Sequence, residues 1–196
     1  MYRLYHTPAI VLGSSAVGEG SKQVLFFTRE LGLVSARAQG VRLARAKLRY
    51  HLTDFSYLDA WLVRGREVWR LANAVSRRNF FTDLVAASQA ERRIILARLS
   101  ALLRRLLPPE EAHPQLFDAV VSGCVALTNA ERAEAEQIEI LLALRILYHL
   151  GYVGEPREFL PVAESVSCGA DDLSFVAPFR RRLVSVINSS LRLTGL

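Results

Sequence analysis

Cysteine is scarce in this chain of 196 residues. The two that occur, Cys124 and Cys168, form no Cys-x-x-Cys pair, and the four histidines are scattered along the sequence. A zinc site needs clustered ligands and a disulfide framework needs several cysteines, so neither is expected and no metal or cofactor is predicted. So few cysteines are typical of a protein of the reducing cytoplasm.

Long apolar segments are also lacking. No apolar run reaches the ~18 residues that indicate a membrane-spanning helix, and the N-terminus has no basic segment followed by an apolar one. We therefore expect no membrane span, no secretory signal and a cytoplasmic location.

The motifs of common enzyme classes are absent as well. The chain contains no Gly-x-Ser-x-Gly, no His-Glu-x-x-His and no Walker loop. Gly13, Gly18 and Gly20 lie in one short stretch, but the Gly-Lys-Ser/Thr that completes a phosphate loop is missing, which favours a flexible hairpin loop. The histidines and carboxylates share no spacing that suggests a catalytic dyad. The sequence indicates a binding protein rather than an enzyme.

Acidic residues are missing from one long stretch. Between Glu30 and Asp54 there are no acidic residues and five cations: Arg37, Arg42, Arg45, Lys47 and Arg49. Residues 1–78 hold 13 Arg and Lys against 5 Asp and Glu, a net charge of +8, whereas residues 79–196 hold 12 against 14, a net charge of −2. This asymmetry points to an anionic partner, either nucleic acid or an anionic membrane.

The first part of the chain has the alternating pattern of strands. Strands are predicted over 4–12, 22–28, 33–39, 53–63 and 68–74, with glycine-containing turns between several of them. Five short strands within about 75 residues predict a small closed barrel of the OB type. Such barrels bind single strands with a basic groove and aromatic platforms. The aromatic residues available for stacking are Tyr50, Tyr57, Trp61 and Trp69.

The pattern becomes helical after residue 76. Apolar spacing predicts helices over 84–107 (capped by Asp83), 114–128, 130–150 and 178–193, with a loop or small hairpin over 165–175. The predicted fold class is α+β: a five-stranded OB-fold at 1–76 followed by an all-α helical domain at 77–196. Arg180-Arg181-Arg182 opens the predicted last helix, where positive charge is unfavourable for the dipole. The triplet is expected either to meet acidic neighbours or to bind an anion.

A series of short motifs runs through residues 9–74. It consists of Ala9-Ile10-Val11-Leu12, Gly18-Glu19-Gly20-Ser21, Phe27-Thr28-Arg29-Glu30-Leu31-Gly32-Leu33, Ala38-Gln39-Gly40-Val41-Arg42, Leu52-Thr53-Asp54-Phe55, Gly65-Arg66-Glu67 and Leu71-Ala72-Asn73-Ala74. In this series the chain resembles the bacterial RecO family of recombination mediators, and residues 141–151 and 178–196 resemble its second half more loosely. The chain is shorter than is usual for the family. It also lacks the four-cysteine zinc motif of some members, of which Cys168 alone remains, so a zinc role is not carried over.

The resemblance implies more than a fold. It implies binding of single- and double-stranded DNA, annealing of complementary strands, and a mediator role in DNA repair and homologous recombination, in which the recombinase RecA is loaded onto single strands coated with single-strand-binding protein (SSB). The partners that it implies are RecR and the C-terminal tail of SSB.

Two sets of residues are the candidates for these contacts. We expect the phosphates of DNA to contact Arg37, Arg42, Arg45, Lys47 and Arg49, with Arg64, Arg66 and Arg70 widening the patch. The SSB tail is acidic with an aromatic end, so its dock needs an apolar pocket with a basic rim. The candidates for that pocket are Arg104, Arg105 and Arg145 beside Leu102, Leu141 and Leu142. Two other functions stay open for the basic loop: a scaffold that meets an acidic protein, and an RNA-binding OB-fold.

Overall fold

The computed structural model describes residues 3–42, 47–153 and 157–195, and within these ranges five strands precede six α-helices. The strands are β1 (Leu4–Val17), β2 (Ser21–Thr28), β3 (Gly32–Ala38), β4 (Ser56–Arg64) and β5 (Trp69–Asn79). The helices are α1 (Phe80–Ala86), α2 (Ala90–Leu106), α3 (Pro114–Asn129), α4 (Arg132–His149), α5 (Leu160–Glu164) and α6 (Ala170–Leu193). Short 3-10 turns occur at Lys47–Tyr50 and Arg157–Phe159. This order confirms the predicted α+β class.

The five strands close into a barrel in the order β1-β2-β3-β5-β4. Every neighbouring pair is antiparallel except β3 and β5, which are parallel. A closed five-stranded barrel that follows this order confirms the predicted OB-fold.

Alternation along the strands separates the barrel core from its outer surface. On β3, Val34, Ala36 and Ala38 point inward and are at most 1% exposed, and on β4 the residues Leu58, Ala60 and Leu62 do the same. Successive side chains of a strand point to opposite faces. The positions between these core residues therefore form the outer surface of the barrel, where a partner can reach them.

Two strands are longer than the sequence predicts. β1 continues to Val17, through the stretch expected to be a loop from Gly13 onward, because a bulge between Val11 and Gly13 keeps the strand paired with β2. Only residues 18–20 form the turn. β5 continues to Asn79, beyond the boundary predicted after residue 76.

The helix predicted over 84–107 is wrong in one respect, because it is two helices. Ser88 lies in the left-handed region, with φ of 55°, and separates α1 from α2. Asn79 rather than Asp83 caps α1, since its side chain accepts a hydrogen bond from the Thr82 N–H at 2.7 Å. Asp83 forms an ion pair with Arg78 instead.

The last helix begins earlier than predicted. α6 starts at Ala170, so most of the stretch 165–175 that was expected to be a loop or hairpin is helical. The Asp172 carboxylate accepts a hydrogen bond from the Gly169 N–H at 3.2 Å and caps this end. Pro178, which predicts a helix start, lies inside the helix.

The chain divides into two compact units. The first comprises Met1–Ser88 with Leu107–Pro114, and the second comprises Gln89–Leu106 with Gln115–Leu196. We call residues 107–114 the return segment, because it belongs with the barrel although it follows α2. The Glu110 N–H donates to the Leu33 carbonyl at 3.0 Å, and Pro109 forms an isolated bridge with the same residue. None of the described helices is both long and apolar enough to span a lipid bilayer.

Candidate nucleic-acid interface

The parallel contact between β3 and β5 brings two of the predicted phosphate-binding residues together. Arg37 and Arg70 are cross-strand partners, and both are exposed on the outer face. Arg37 forms no hydrogen bond or ion pair with any residue in the described ranges. Two neighbouring guanidinium groups concentrate positive charge, which is the arrangement that a phosphate backbone requires.

Arg42 contacts the turn between β1 and β2. Its Nη1 donates to the Gly18 carbonyl at 2.8 Å and its backbone N–H donates to the Gly20 carbonyl at 3.0 Å. The side chain remains exposed, so its charge lies on the surface beside this turn. Arg45 lies outside the described residues, and so do the side chains of Lys47 and Arg49.

The turn between β4 and β5 carries Arg64 and Arg66, and Arg64 already has an acidic partner. The Glu110 carboxylate of the return segment lies 2.9 Å from Arg64 Nη2 and accepts a hydrogen bond from Trp69 Nε1, also at 2.9 Å. The Arg64 guanidinium also lies over the Trp69 ring, 5.5 Å from its centroid. Arg66 is exposed in the turn. Trp69 is only 6% exposed, so it offers no open face for a base.

A group of side chains on the outer face of β1, β4 and β5 was not predicted as a unit. We call His6, Tyr57, Asp59, Trp61 and Arg77 the aromatic cluster. The rings of His6 and Trp61 stack with centroids 4.5 Å apart and an interplanar angle of 26°. His6 Nε2 lies 3.3 Å from Asp59 Oδ1. The sequence contained one signal for this cluster, since Tyr57, Asp59 and Trp61 alternate along β4, but the position of His6 depends on the β1–β4 register.

Arg77 holds the polar side of the aromatic cluster. Its Nε and Nη2 donate to the two oxygens of Asp59 at 2.7 and 2.8 Å, and its Nη1 donates to the Tyr57 hydroxyl at 2.8 Å. The guanidinium also lies over the Tyr57 ring, 5.2 Å from its centroid. The hydrogen bond from Arg77 lowers the pKa of the Asp59 carboxyl and raises that of the guanidinium, so both groups keep their charge over a wide pH range.

The second unit has a groove of about 490 Å³ between α2, α4 and α6. Its floor is apolar, and its rim carries two cations that are each paired with a carboxylate. Arg98 lies 3.1 Å from Glu139, and Arg180 contacts Glu136. The apolar lining consists of Leu99, Leu102, Ile140, Ala143, Val184, Ile187 and Leu191.

Three of the residues predicted for the tail-binding pocket are not at the surface. Leu141 and Arg145 are 0% exposed and Leu142 is 1% exposed, which corrects their assignment to an accessible pocket. The Arg145 Nε donates to the Val162 carbonyl at 3.0 Å, the guanidinium also donates to the Ser167 carbonyl, and burial lowers its pKa. Arg145 therefore ties the chain around α5 to α4.

The other predicted cations of the second unit are exposed. Arg104 and Arg105 lie on α2 outside the lining of the groove, and Arg105 Nη2 donates to the Gly195 carbonyl at 2.9 Å. Two members of the arginine triplet have acidic neighbours, since Arg180 contacts Glu136 and Arg182 contacts Glu158. This outcome agrees with the first of the two alternatives predicted for the triplet.

Comparison with known proteins gives matches in both parts of the chain. Residues 1–80 match the family described as Recombination protein O N terminal, and residues 87–187 match Recombination protein O C terminal. The chain is 30% identical over 170 residues to the DNA repair protein RecO of Desulfitobacterium hafniense, in strain DSM 10664 / DCB-2 and in strain Y51. Each alignment covers 85% of this chain and 56% of the relative. The chain thus spans little more than half the length of these curated relatives.

Proposed function

The chain belongs to the RecO family, and on that premise we propose that it is a DNA repair and recombination mediator. It binds single- and double-stranded DNA without sequence specificity and anneals complementary strands. With RecR as its partner it assists loading of RecA onto SSB-coated single strands. The observation that supports DNA binding most is the exposed pair Arg37 and Arg70 on an OB barrel of strong net positive charge.

The proposed mechanism is electrostatic. Two DNA strands repel each other through their phosphates, and a cationic surface that contacts both lowers this repulsion so that complementary bases can pair. Arg37 and Arg70 supply positive charge on the outer face of the barrel, and Arg42 supplies it beside the β1–β2 turn. Phosphate contacts carry no sequence information, so annealing is expected for any complementary pair.

Salt dependence tests this mechanism. The slope of log K against log salt changes by about 0.9 for each phosphate of duplex DNA that the protein ceases to neutralise, and by about 0.7 for each phosphate of a single strand. We expect Arg37→Ala/Arg70→Ala to flatten the slope by about 1.4–1.8 units and to slow annealing of two complementary oligonucleotides. The variant Arg104→Ala/Arg181→Ala removes the same charge from exposed positions of the second unit and serves as the control. An unchanged slope in the Arg37→Ala/Arg70→Ala protein would remove this pair from the mechanism.

A second variant tests the basic loop. If Arg42, Arg45, Lys47 and Arg49 each contact one phosphate, changing all four to alanine flattens the slope by about 3–4 units. Competition with RNA of the same sequence and with an acidic protein separates DNA binding from the two other functions. Tighter binding of either competitor than of DNA would contradict the proposed function.

We also propose that the groove between α2, α4 and α6 binds the SSB tail. The apolar floor can take the aromatic end of the tail, and Arg98 and Arg180 can exchange their glutamate partners for the carboxylates of the tail. Fluorescence anisotropy of a labelled tail peptide is expected to show weaker binding to Arg98→Ala/Arg180→Ala than to Arg104→Ala/Arg105→Ala. The reverse order would assign the dock to Arg104 and Arg105 instead.

A further inference from the structure

We propose that the aromatic cluster on the outer face of the barrel stacks on an unpaired base. The inference rests on the proposed DNA binding and adds to it a contact that only single-stranded nucleic acid can make. The stacked pair of His6 and Trp61 is accessible to solvent at His6, whose side chain is 53% exposed. Stacking on aromatic rings is tolerant of sequence, because every base has a flat π face.

Contacts within the protein hold the side chains of the aromatic cluster in place. Asp59 is held by two hydrogen bonds from Arg77, and it lies 3.3 Å from the Nε2 of His6. The Asp59 side chain is only 17% exposed, so its carboxylate can orient the imidazole while exposing little negative charge to the phosphates of a bound strand. A ring whose orientation is already fixed loses little conformational entropy when a base stacks on it.

The charges that would hold the neighbouring phosphates are on adjacent strands. Val63 pairs with Leu4 on one side and with Arg70 on the other, and Arg70 pairs with Arg37. We call these four residues the cross-strand row. The row runs around the outer face from β1 to β3 and ends in the two arginines.

The aromatic pair lies immediately beside the cross-strand row. Trp61 precedes Val63 by two residues on β4, and His6 follows Leu4 by two residues on β1, so all four occupy the same outer face. Val63 lies between Trp61 and Arg70 on this face, because Val63 pairs with Arg70 whereas a bulge between Trp61 and Leu62 pairs Trp61 with Asn73. A strand whose base stacks on His6 can therefore continue along the cross-strand row, toward Arg70 and then Arg37.

This arrangement discriminates between single and double strands. In a duplex each base is paired and stacked on its neighbours, so its flat π face is not available to a protein ring. Two other aromatic residues predicted for stacking are not part of this site: Trp69 is buried and bonded to Glu110, and Tyr50 lies outside the cluster. A strand held by phosphates at one side and by a splayed base at the other keeps its pairing edge open to a complementary strand.

The two tryptophans make the test direct. Trp69→Phe leaves Trp61 as the only tryptophan. Its indole stacks on the imidazole of His6, so a base that stacks on His6 is expected to quench its fluorescence. Oligo(dT) and an abasic oligonucleotide of the same length and charge are titrated into the Trp69→Phe variant. Binding of each is measured separately by anisotropy of an end label. We expect Trp61 to be quenched in parallel with binding of oligo(dT), and to keep its fluorescence when the abasic strand binds.

Affinity supplies a second readout. Loss of one base–aromatic stack lowers affinity about 5- to 150-fold, so His6→Ala is expected to weaken oligo(dT) binding by that factor and to leave the abasic strand unaffected. Leu4→Ala, on the same face but without a ring, is the matched control and is expected to change neither.

The outcomes separate this inference from the proposed function. Equal affinity of wild type for both strands, with Trp61 unquenched, overturns the base contact and leaves DNA binding in place. No binding of either strand overturns both.

Discussion

At the scale of single residues, Gly32 and Gly18 differ in whether the surrounding structure leaves room for a side chain. Gly32 has φ of 70°, and a Cβ there would lie 1.9 Å from the carbonyl oxygen of Glu111 in the return segment. Gly18 has a similar φ of 61°, but a Cβ there would have nothing within 4 Å. The two positions share the backbone strain and differ only in the space around them.

We therefore expect Gly32→Ala to destabilise the protein by about 3–4 kcal/mol, because the strain adds to a backbone clash. Gly18→Ala is expected to cost about 1 kcal/mol, since only the strain applies. Urea unfolding followed by tryptophan fluorescence measures both, because Trp61 and Trp69 lie in the first unit with these glycines. Equal destabilisation in the two variants would contradict the close approach of the return segment.

The Asp59 carboxyl gives a pH prediction. Its pKa in the folded protein lies below the ordinary value of 3.8, chiefly because of the hydrogen bond from Arg77. A lowered pKa stabilises the folded state at pH values above the ordinary pKa, and this contribution is lost as pH falls through the folded value. We expect wild type to exceed Asp59→Asn in stability at pH 5 and the difference to shrink steadily between pH 4 and pH 2. Urea midpoints across this range measure it, and a constant difference would contradict the assignment.

Sequence reasoning could not predict contacts between residues that lie far apart along the chain. Arg37 and Arg70 were each predicted to bind phosphate, but their adjacency depends on the parallel β3–β5 register. Arg64 was predicted as a phosphate ligand because its neighbours in sequence gave no sign of Glu110. Local pattern gives the face on which a side chain lies, whereas its partner is set by non-local packing.

At the scale of elements, α4 combines an apolar surface with one buried charge. Its second half, residues 138–149, is apolar except for Glu139, Arg145 and His149, which predicts a largely buried helix. Arg145 follows its neighbours into the core, and its hydrogen bonds go to the carbonyls of Val162 and Ser167. A basic residue in an apolar helix was interpreted as the rim of a pocket, although burial on all sides of the helix favours a structural role.

We expect Arg145→Met to destabilise the second unit by about 3–5 kcal/mol, because the carbonyls of Val162 and Ser167 lose their donor and Asp172 loses its cation. Hydrogen exchange should accelerate most for residues 160–172, which this side chain holds against α4. Arg104→Met on the exposed face of α2 is the matched control, with an expected change within about 0.5 kcal/mol. Unchanged exchange in the segment would contradict the proposed role of Arg145.

Element boundaries were predicted well where the local signal was complete. The strands β2 and β3 and the helix α3 agree within about one residue with the alternation and the prolines that indicate them. The start of α6 was not predicted because Pro178 is a strong signal for a helix N-terminus, and the signal from Gly169 and Asp172 is weaker. The break at Ser88 has no sequence signature, since serine rarely adopts a positive φ.

At the scale of the whole molecule, the chain passes between its two units three times. It leaves the first unit after Ser88, re-enters it at Leu107 and leaves again after Pro114. The change from alternating to helical pattern near residue 76 predicted two parts of different structure. It did not predict the return segment, because the short stretch between α2 and α3 has no periodicity of its own and is placed by Trp69, Arg64 and Gly32.

Two spectroscopic probes report on the two units. Both tryptophans belong to the first unit, whereas the long helices α2, α4 and α6 belong to the second. Glu110→Ala removes the acceptor of the Trp69 indole and the partner of Arg64, so we expect the fluorescence transition in urea to lose about 1–2 kcal/mol. The far-ultraviolet ellipticity transition is expected to move less. Glu111→Ala is the control, because that side chain is 65% exposed and its nearest ionic contact, to His113, is 3.7 Å long.

The ribosome synthesises the return segment after α2, so part of the first unit is made later than the barrel strands that it contacts. At about 5–20 residues per second a ribosome needs roughly one to five seconds to extend a nascent chain from Ser88 to Pro114. During that interval the strands of the barrel have all been made, yet the Trp69 indole has no carboxylate to bond and Arg64 has no counterion. The first unit therefore cannot form these two contacts until the return segment has emerged, and the side chains that make them are accessible to chaperones until then.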